Sequence, residues 1–304
     1  MATIPQMPRA TLPSRRPDAA PIELEYEDHG EGQPLLLIMG LGAQMILWND
    51  QWVSTLVRRG FRVIRFDNRD TGLSTRVRQR VGDPRRLIVR RVLGLPVPAP
   101  YSLRDMAGDA LGLLEHLGIE RAHVVGASMG GMIAQTMAIE HPERVRTLTS
   151  IMSSTGARRH MLSKPKALAH LLQKRPANRD EAVAGAITFF TTCGGTTHAP
   201  DLDWVREVAG RAYERAFNPA GFVRQLAAIL SSGSRREALR RVRVPTTVIH
   251  GTEDPLILPH GGEGTAAAIP GARFVPIVGM GHDMPTTTWP IIADELERLR
   301  DRAH

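Results

Sequence analysis

The sequence is poor in cysteine, in aromatic residues and in long apolar runs. Its 304 residues include one cysteine, Cys193, which excludes an internal disulfide and fits a reducing cytoplasm, where we expect the protein to reside. No apolar run reaches the roughly 20 residues that a membrane-spanning helix needs, so we expect no membrane partner. Aromatic residues make up 5% of the chain, which predicts a core of aliphatic side chains.

Lysine is also scarce, because all but three of the 39 basic residues are arginine. The formal net charge of +8 would suit an acidic partner such as nucleic acid. The arginines are spread along the whole chain, however, and the densest run, residues 76–91, has no interleaved aromatic residues to stack on bases. We therefore interpret this run as a solvated, partly helical surface and expect no nucleic-acid partner.

Strand-like and helix-like stretches alternate through most of the chain. Residues 35–39 form a continuous apolar run, as expected of a strand buried on both faces. Residues 103–114 show the apolar stripe of an amphipathic helix, with a start signal at Ser102. This alternation predicts an α/β fold with a parallel sheet covered by helices on both faces. Residues 22–27 alternate apolar and acidic side chains, and we expect the acidic ones to face water at a sheet edge.

The chain divides into three predicted parts. Residues 1–20 are rich in proline, arginine and small residues and have no apolar segment typical of a secretory signal, so they are predicted to form a flexible N-terminal arm. Residues 155–242 contain several amphipathic helical stretches and no convincing strand, which predicts a helical cap inserted into the fold. Residues 21–154 and 243–304 would then form the α/β core.

A Gly-x-Ser-x-Gly motif lies between a predicted strand and a predicted helix. Ser128 is at its centre, and Gly126 and Gly130 supply the neighbours without side chains that a crowded turn needs. The helix that starts at Met129 points its positive end at the serine, where negative charge develops during acyl transfer. Ser128 is therefore a candidate nucleophile, and the alternative is an ordinary glycine-rich turn that contains a serine.

A base and an acid for this serine are expected after the last two strands, because loops at the carboxyl ends of parallel strands converge. His282 follows the last strand in a Gly-x-Gly-His sequence, and Asp254 follows the strand before it. The chain order Ser, Asp, His matches a known arrangement of the catalytic triad. Glu253 is the second choice for the acid, whereas Asp283 directly follows His282 and would struggle to bend back onto its ring.

Two backbone N–H groups are predicted to stabilise the oxyanion. One belongs to Met129, directly after the nucleophile, and the other to Leu41, in the loop after the strand at residues 35–39. The sequence Gly-Leu-Gly at residues 40–42 could also begin a dinucleotide-binding loop. That motif needs a third glycine at position 45, where this chain has methionine.

With these motifs in place, the sequence resembles the α/β-hydrolase superfamily over residues 22–302. Residues 38–42, 66–74 and 126–131 are similar to motifs of the aclacinomycin methylesterase-like serine esterases. The resemblance implies an eight-stranded, mostly parallel sheet with a helical cap over the catalytic face, and ester hydrolysis without a cofactor. Serine at position 128 argues against haloalkane dehalogenases and epoxide hydrolases, which carry aspartate there.

The sequence therefore predicts a serine carboxylesterase that hydrolyses small-molecule carboxylic esters through an acyl-enzyme, with no cofactor and no metal. Other enzymes that use the same triad remain as alternatives: a carbon–carbon bond hydrolase, a lactonase, an acyltransferase or a perhydrolase. A ligand receptor that keeps the triad without turnover is the alternative from a different class. The loop at residues 67–74 is interpreted as structural, because its polar side chains should fix the turn.

Overall fold

The computed structural model describes residues 8–13, 20–160, 162–173 and 175–303. Its strands are β1 Arg9–Leu12, β2 Ile22–His29, β3 Gln33–Ile38, β4 Phe61–Phe66, β5 Ala122–Ala127, β6 Val145–Ile151, β7 Thr246–Gly251 and β8 Arg273–Ile277. They form one eight-stranded sheet in the order β1-β2-β4-β3-β5-β6-β7-β8. The pairs from β4 through β8 are parallel, and β1 and β2 join antiparallel at one side. The sheet is thus mostly parallel, as predicted.

Helices cover both faces of this sheet. They are α1 Asp50–Arg58, α2 Pro84–Val92, α3 Leu103–His116, α4 Met129–Glu140, α5 Pro165–Leu172, α6 Arg179–Cys193, α7 Leu202–Arg215, α8 Pro219–Ser231, α9 Arg236–Leu239, α10 His260–Ala268 and α11 Trp289–Asp301. Successive residues of β3 enter different apolar clusters, one with α3 and α4 and the other with α1 and α11. Among the described helices, none is both long and apolar enough to cross a membrane.

The first strand lies inside the stretch predicted as a flexible arm. Arg9–Leu12 pairs antiparallel with β2, and the side chains of Ala10 and Leu12 are buried against the core. The prediction of an arm over residues 1–20 is therefore wrong for this strand, because two apolar side chains and a row of backbone hydrogen bonds hold it to the sheet. In the rest of the predicted arm, residues 8, 13 and 20 are described, and residues 1–7 and 14–19 lie outside the described residues.

Two of the three acidic side chains in residues 22–27 are buried, which contradicts the expectation that they face water, whereas Glu23 is exposed as expected. Glu25 is 2% exposed and Glu27 is 9% exposed. Arg9 Nε donates to Glu25 at 2.8 Å, and Arg65 Nε donates to Glu27 at 2.7 Å. Strand β1 covers the edge of β2 beside Glu25, and Glu27 lies opposite Arg65 on β4. The two arginines keep both carboxylates paired.

Between β6 and β7 the described residues form helices α5 to α9 and no strand. Two ion pairs with buried carboxylates attach this helical segment to the loop after β4. Arg215 lies 2.5 Å from Asp67, and Arg224 lies 2.7 Å from Asp70. The helical segment therefore covers the carboxyl ends of the strands, where the candidate site residues lie.

Candidate active site

Ser128 occupies a strained turn between β5 and α4. Its backbone has φ 55° and ψ −115°, a conformation that few residues other than glycine adopt. A side chain at Gly126 would come within 2.1 Å of the Gly130 carbonyl oxygen, and one at Gly130 within 1.9 Å of the Ile38 carbonyl oxygen. The two glycines are thus required by close backbone packing, and the turn sets Ser128 at the N-terminal end of α4.

The loop after β8 brings His282 to this serine. Its Nε2 lies 3.1 Å from Ser128 Oγ, and its Nδ1 lies 2.7 Å from Asp254 Oδ2. The loop packs closely on the end of α6, because a side chain at Gly281 would come within 2.2 Å of the Cys193 carbonyl oxygen. That oxygen accepts the backbone N–H of His282 at 2.6 Å. The structure thus brings together the three residues predicted for the triad.

Asp254 is 1% exposed, yet it stays ionised. Burial alone would raise the pKa of its carboxyl, but the charge and hydrogen bonds of His282 and His250 lower it to about 2. Its second oxygen accepts the backbone N–H groups of Leu256 and Ile257 at 2.8 and 2.9 Å. The carboxylate is therefore fixed in position and can orient the imidazole ring of His282.

The other two carboxylates considered as the acid lie in different environments. Glu253 accepts hydrogen bonds from the hydroxyl and the backbone N–H of Thr196, at 2.8 and 2.7 Å. Asp283 is 3% exposed, and neither of its oxygens accepts a well-formed hydrogen bond from the described residues. Burial raises the pKa of Asp283 to about 7. Because His282 Nδ1 contacts Asp254, the geometry favours Asp254 over both.

The loop after β3 lies directly against the serine. A side chain at Gly40 would sit 3.3 Å from Ser128 Cβ. Within the described part of the chain, the backbone N–H groups of Leu41 and Met129 donate to no protein acceptor, whereas that of Gly42 donates to Gln225 Oε1 at 2.8 Å. The two N–H groups predicted for the oxyanion are therefore available to a ligand.

Two buried residues that the sequence patterns did not indicate support the site. His250 Nε2 lies 3.2 Å from Asp254 Oδ2. The only sequence signal for His250 was its place at the end of β7, the strand that precedes Asp254. Gln225 on α8 accepts from Gly42 and donates to the Thr71 hydroxyl at 2.7 Å. No pattern could have found Gln225, because its contacts join a helix to loops more than 150 residues earlier in the chain.

A cavity of about 880 Å³ opens over Ser128 and His282. This volume lies in the range of small-molecule sites. Side chains of the core and of the helices between β6 and β7 share its walls, which are largely apolar: Met39, Trp52, Met132, Leu171, Phe189, Phe190, Trp204 and Phe222. Among the described residues, no group of three or more His, Cys, Asp or Glu side chains is placed to hold a metal ion.

Comparisons with known proteins agree with this architecture. A family model described as the alpha/beta hydrolase fold matches residues 33–285. Rhodomycin D methylesterase of Streptomyces peucetius is 29% identical over 273 residues, which are 83% of this chain and 85% of the relative. A thermophilic esterase from Thermogutta terrifontis has a TM-score of 0.74 and 22% identity, covering 98% of this chain and 99% of that one. The enol-lactonase from Burkholderia xenovorans LB400 has a TM-score of 0.67 and 23% identity, covering 93% and 96%. These two structural likenesses concern the fold.

Proposed function

The chain belongs to the α/β-hydrolase family, and from this premise we propose that it is a serine carboxylesterase acting on small-molecule esters. The observation that carries the proposal is the series of contacts from Ser128 through His282 to Asp254 at the cavity. A serine hydroxyl is a weak nucleophile unless a base in this position removes its proton. The similarity to a methylesterase supports an ester as the substrate.

In the proposed reaction, Ser128 Oγ attacks the ester carbonyl carbon while His282 Nε2 takes the hydroxyl proton. Asp254 stabilises the imidazolium, and the N–H groups of Leu41 and Met129 bind the negative carbonyl oxygen. The tetrahedral intermediate collapses, and the alcohol leaves with the proton from His282. A water molecule, deprotonated by the same nitrogen, then attacks the acyl-enzyme, which releases the carboxylic acid and restores the serine.

We also propose that residues 155–242 act as a cap that selects the substrate. Helices α5 to α8 contribute much of the cavity wall, and the triad residues lie outside this range. The acyl or alcohol group of the ester would therefore pack on cap side chains while the chemistry takes place on the core. The apolar walls favour an apolar group in this position.

Removal of the nucleophile tests the proposal. Ser128→Ala should lose labelling by a fluorophosphonate probe and lower kcat for a p-nitrophenyl ester by about 10⁴-fold or more. Ser163→Ala is the matched control, because Ser163 also lines the cavity but donates its hydroxyl to the Leu256 carbonyl oxygen. It should be labelled like the wild type.

Two outcomes would contradict the proposal. Labelling that persists in Ser128→Ala would place the nucleophile elsewhere. A wild-type protein that binds esters tightly but completes no more than one turnover would instead be a receptor that keeps the triad.

A further inference from the structure

The arginine-rich run belongs to a longer stretch, residues 76–95, which we call the basic segment. It includes α2 and contains seven arginines but one acidic residue, Asp83, whose side chain caps α2 by accepting from Arg85 N. The arginines are Arg76, Arg78, Arg80, Arg85, Arg86, Arg90 and Arg91. Within the described ranges none of them forms an ion pair with a carboxylate. The segment therefore presents a dense positive charge that the rest of the described protein does not neutralise.

Large aliphatic side chains are exposed on the same segment. Val89, Val92, Leu93 and Leu95 are 55%, 67%, 66% and 48% exposed. Val89 and Leu93 are four residues apart, so they share the outer face of α2, while Leu87 is 2% exposed and packs on α8 residues. A cluster of aliphatic side chains in water marks a surface that binds an apolar partner.

The basic segment also borders the mouth of the cavity. Ile88 and Val92 line the cavity, and so does Leu162, which precedes α5. Val92 and Leu162 are both more than half exposed, at 67% and 55%, so they lie where the cavity meets the surface. A partner bound to the basic segment would therefore lie next to the entrance above Ser128.

We propose that the basic segment binds an anionic lipid surface. Val89, Leu93 and Leu95 would enter the headgroup region, and the arginines would contact lipid phosphates. Charge complementarity favours this partner over a second copy of the chain, which would bring two positive surfaces together. A nucleic acid would leave the aliphatic side chains without an apolar environment. This binding goes beyond the proposed esterase activity and revises the expectation that no membrane is a partner.

Vesicle flotation of the full chain tests this proposal. The protein should float with vesicles of phosphatidylcholine and phosphatidylglycerol, should not float with phosphatidylcholine alone, and should dissociate as salt is raised. Replacing Arg85, Arg86 and Arg90 together by glutamine should lower the partition coefficient roughly a hundredfold, since each arginine near an anionic surface strengthens membrane binding by a similar factor. Val89→Ser with Leu93→Ser keeps the charge and should lower it roughly tenfold.

A matched control removes three exposed arginines that lie away from the basic segment. Arg121 and Arg241 lie near the amino-terminal ends of β5 and β7, and Arg302 follows α11. Replacing all three by glutamine should leave the partition coefficient within about threefold of wild type, because charges far from the contact are screened. All variants should keep the wild-type melting temperature and rate on p-nitrophenyl acetate, since none of the replaced residues lines the cavity.

Five results would overturn the inference. Three of them are no flotation, equal flotation with neutral vesicles, and equal loss in the control and the segment variants, which would indicate net charge alone. The fourth is a dimer in lipid-free sedimentation that dissociates on Val89→Ser with Leu93→Ser. Duplex DNA that binds more tightly than the vesicles, and needs the arginines but not the two aliphatic residues, would likewise assign the surface to nucleic acid. Because flotation does not depend on turnover, failure here is distinguishable from failure of the esterase proposal.

Discussion

Asp254 has two competitors for the role of the acid: Glu253, which precedes it, and Asp283, which follows His282. The surroundings of the three carboxylates give them different properties. Asp254 is held ionised by two histidines and two backbone N–H groups. Glu253 is occupied by Thr196, and Asp283 is buried with a raised pKa. Their sequence positions are similar, and the contact of Asp254 with His282 Nδ1 adds to the strand-end placement that already favoured Asp254.

Replacing the acid should therefore have a selective effect. Asp254→Asn should lower kcat/KM for a p-nitrophenyl ester by about 10⁴-fold, because the amide stabilises the wrong imidazole tautomer and cannot offset the imidazolium charge. Glu253→Gln and Asp283→Asn are the controls and should stay within about tenfold of wild type, since the two ring nitrogens of His282 contact Asp254 and Ser128 instead. A severe loss in Glu253→Gln with a mild one in Asp254→Asn would reassign the acid.

At the scale of single residues, sequence patterns could indicate the groups that sit at strand ends. Ser128, Asp254 and His282 follow three parallel strands, and such loops must converge. The patterns could not indicate His250 or Gln225, because those contacts depend on side-chain directions across the assembled sheet. Whether the assigned residues carry the proposed roles stays a prediction that the substitutions above test.

At the scale of elements, the loop after β4 connects the sheet to the helices that cover it. Asp70 accepts from Arg224 at 2.7 and 2.8 Å, from the Tyr101 hydroxyl at 2.7 Å and from the Val77 N–H at 2.8 Å. Arg224 is adjacent to Gln225, which holds Gly42 in the loop after β3. The polar groups of this loop fix its turn, in agreement with its structural interpretation from sequence.

Loss of this connection should destabilise the protein. Arg224→Met leaves the buried carboxylate of Asp70 without its charged partner, which should lower the free energy of unfolding by about 3 kcal/mol or more in urea. Arg206→Met is the control, because the Arg206–Asp203 pair on α7 is largely exposed, and its loss should cost less than about 1 kcal/mol. Equal changes in the two variants would contradict the assigned role of the buried pair.

Elements with strong periodicity were predictable, and those set by distant partners were not. The helix start at Ser102 is confirmed, since its side chain and that of Asp105 form reciprocal caps. Strand β1 was missed because four residues in a stretch rich in proline and arginine carry too short a pattern. The burial of Glu25 and Glu27 was missed because Arg9 and Arg65 pair with them only in the folded sheet.

At the scale of the whole molecule, charge is distributed unevenly. The basic segment, which borders the cavity mouth, holds seven arginines that form no ion pair with a described carboxylate, while the described core encloses several carboxylates that are matched by arginine or histidine. Asp283 is the exception, because it is buried without a cationic partner at hydrogen-bond distance. Its protonation should therefore affect the stability of the entire fold.

The folded protein binds a proton at Asp283 more tightly than the unfolded chain does, because burial raises the pKa of its carboxyl from the ordinary value of 3.8 to about 7. The stability that this group contributes is therefore fully present below about pH 4 and is lost as the pH rises towards 7. The loss can reach at most about 4 kcal/mol. Asp283→Asn stays neutral, so the variant should gain stability relative to wild type between about pH 5 and pH 8, measured by urea unfolding. Glu253→Gln should show no such gain, because hydrogen bonds from Thr196 lower the pKa of Glu253. If the free energies of unfolding of Asp283→Asn and wild type differ by the same amount at about pH 5 and pH 8, Asp283 is already ionised in the folded state at the lower pH.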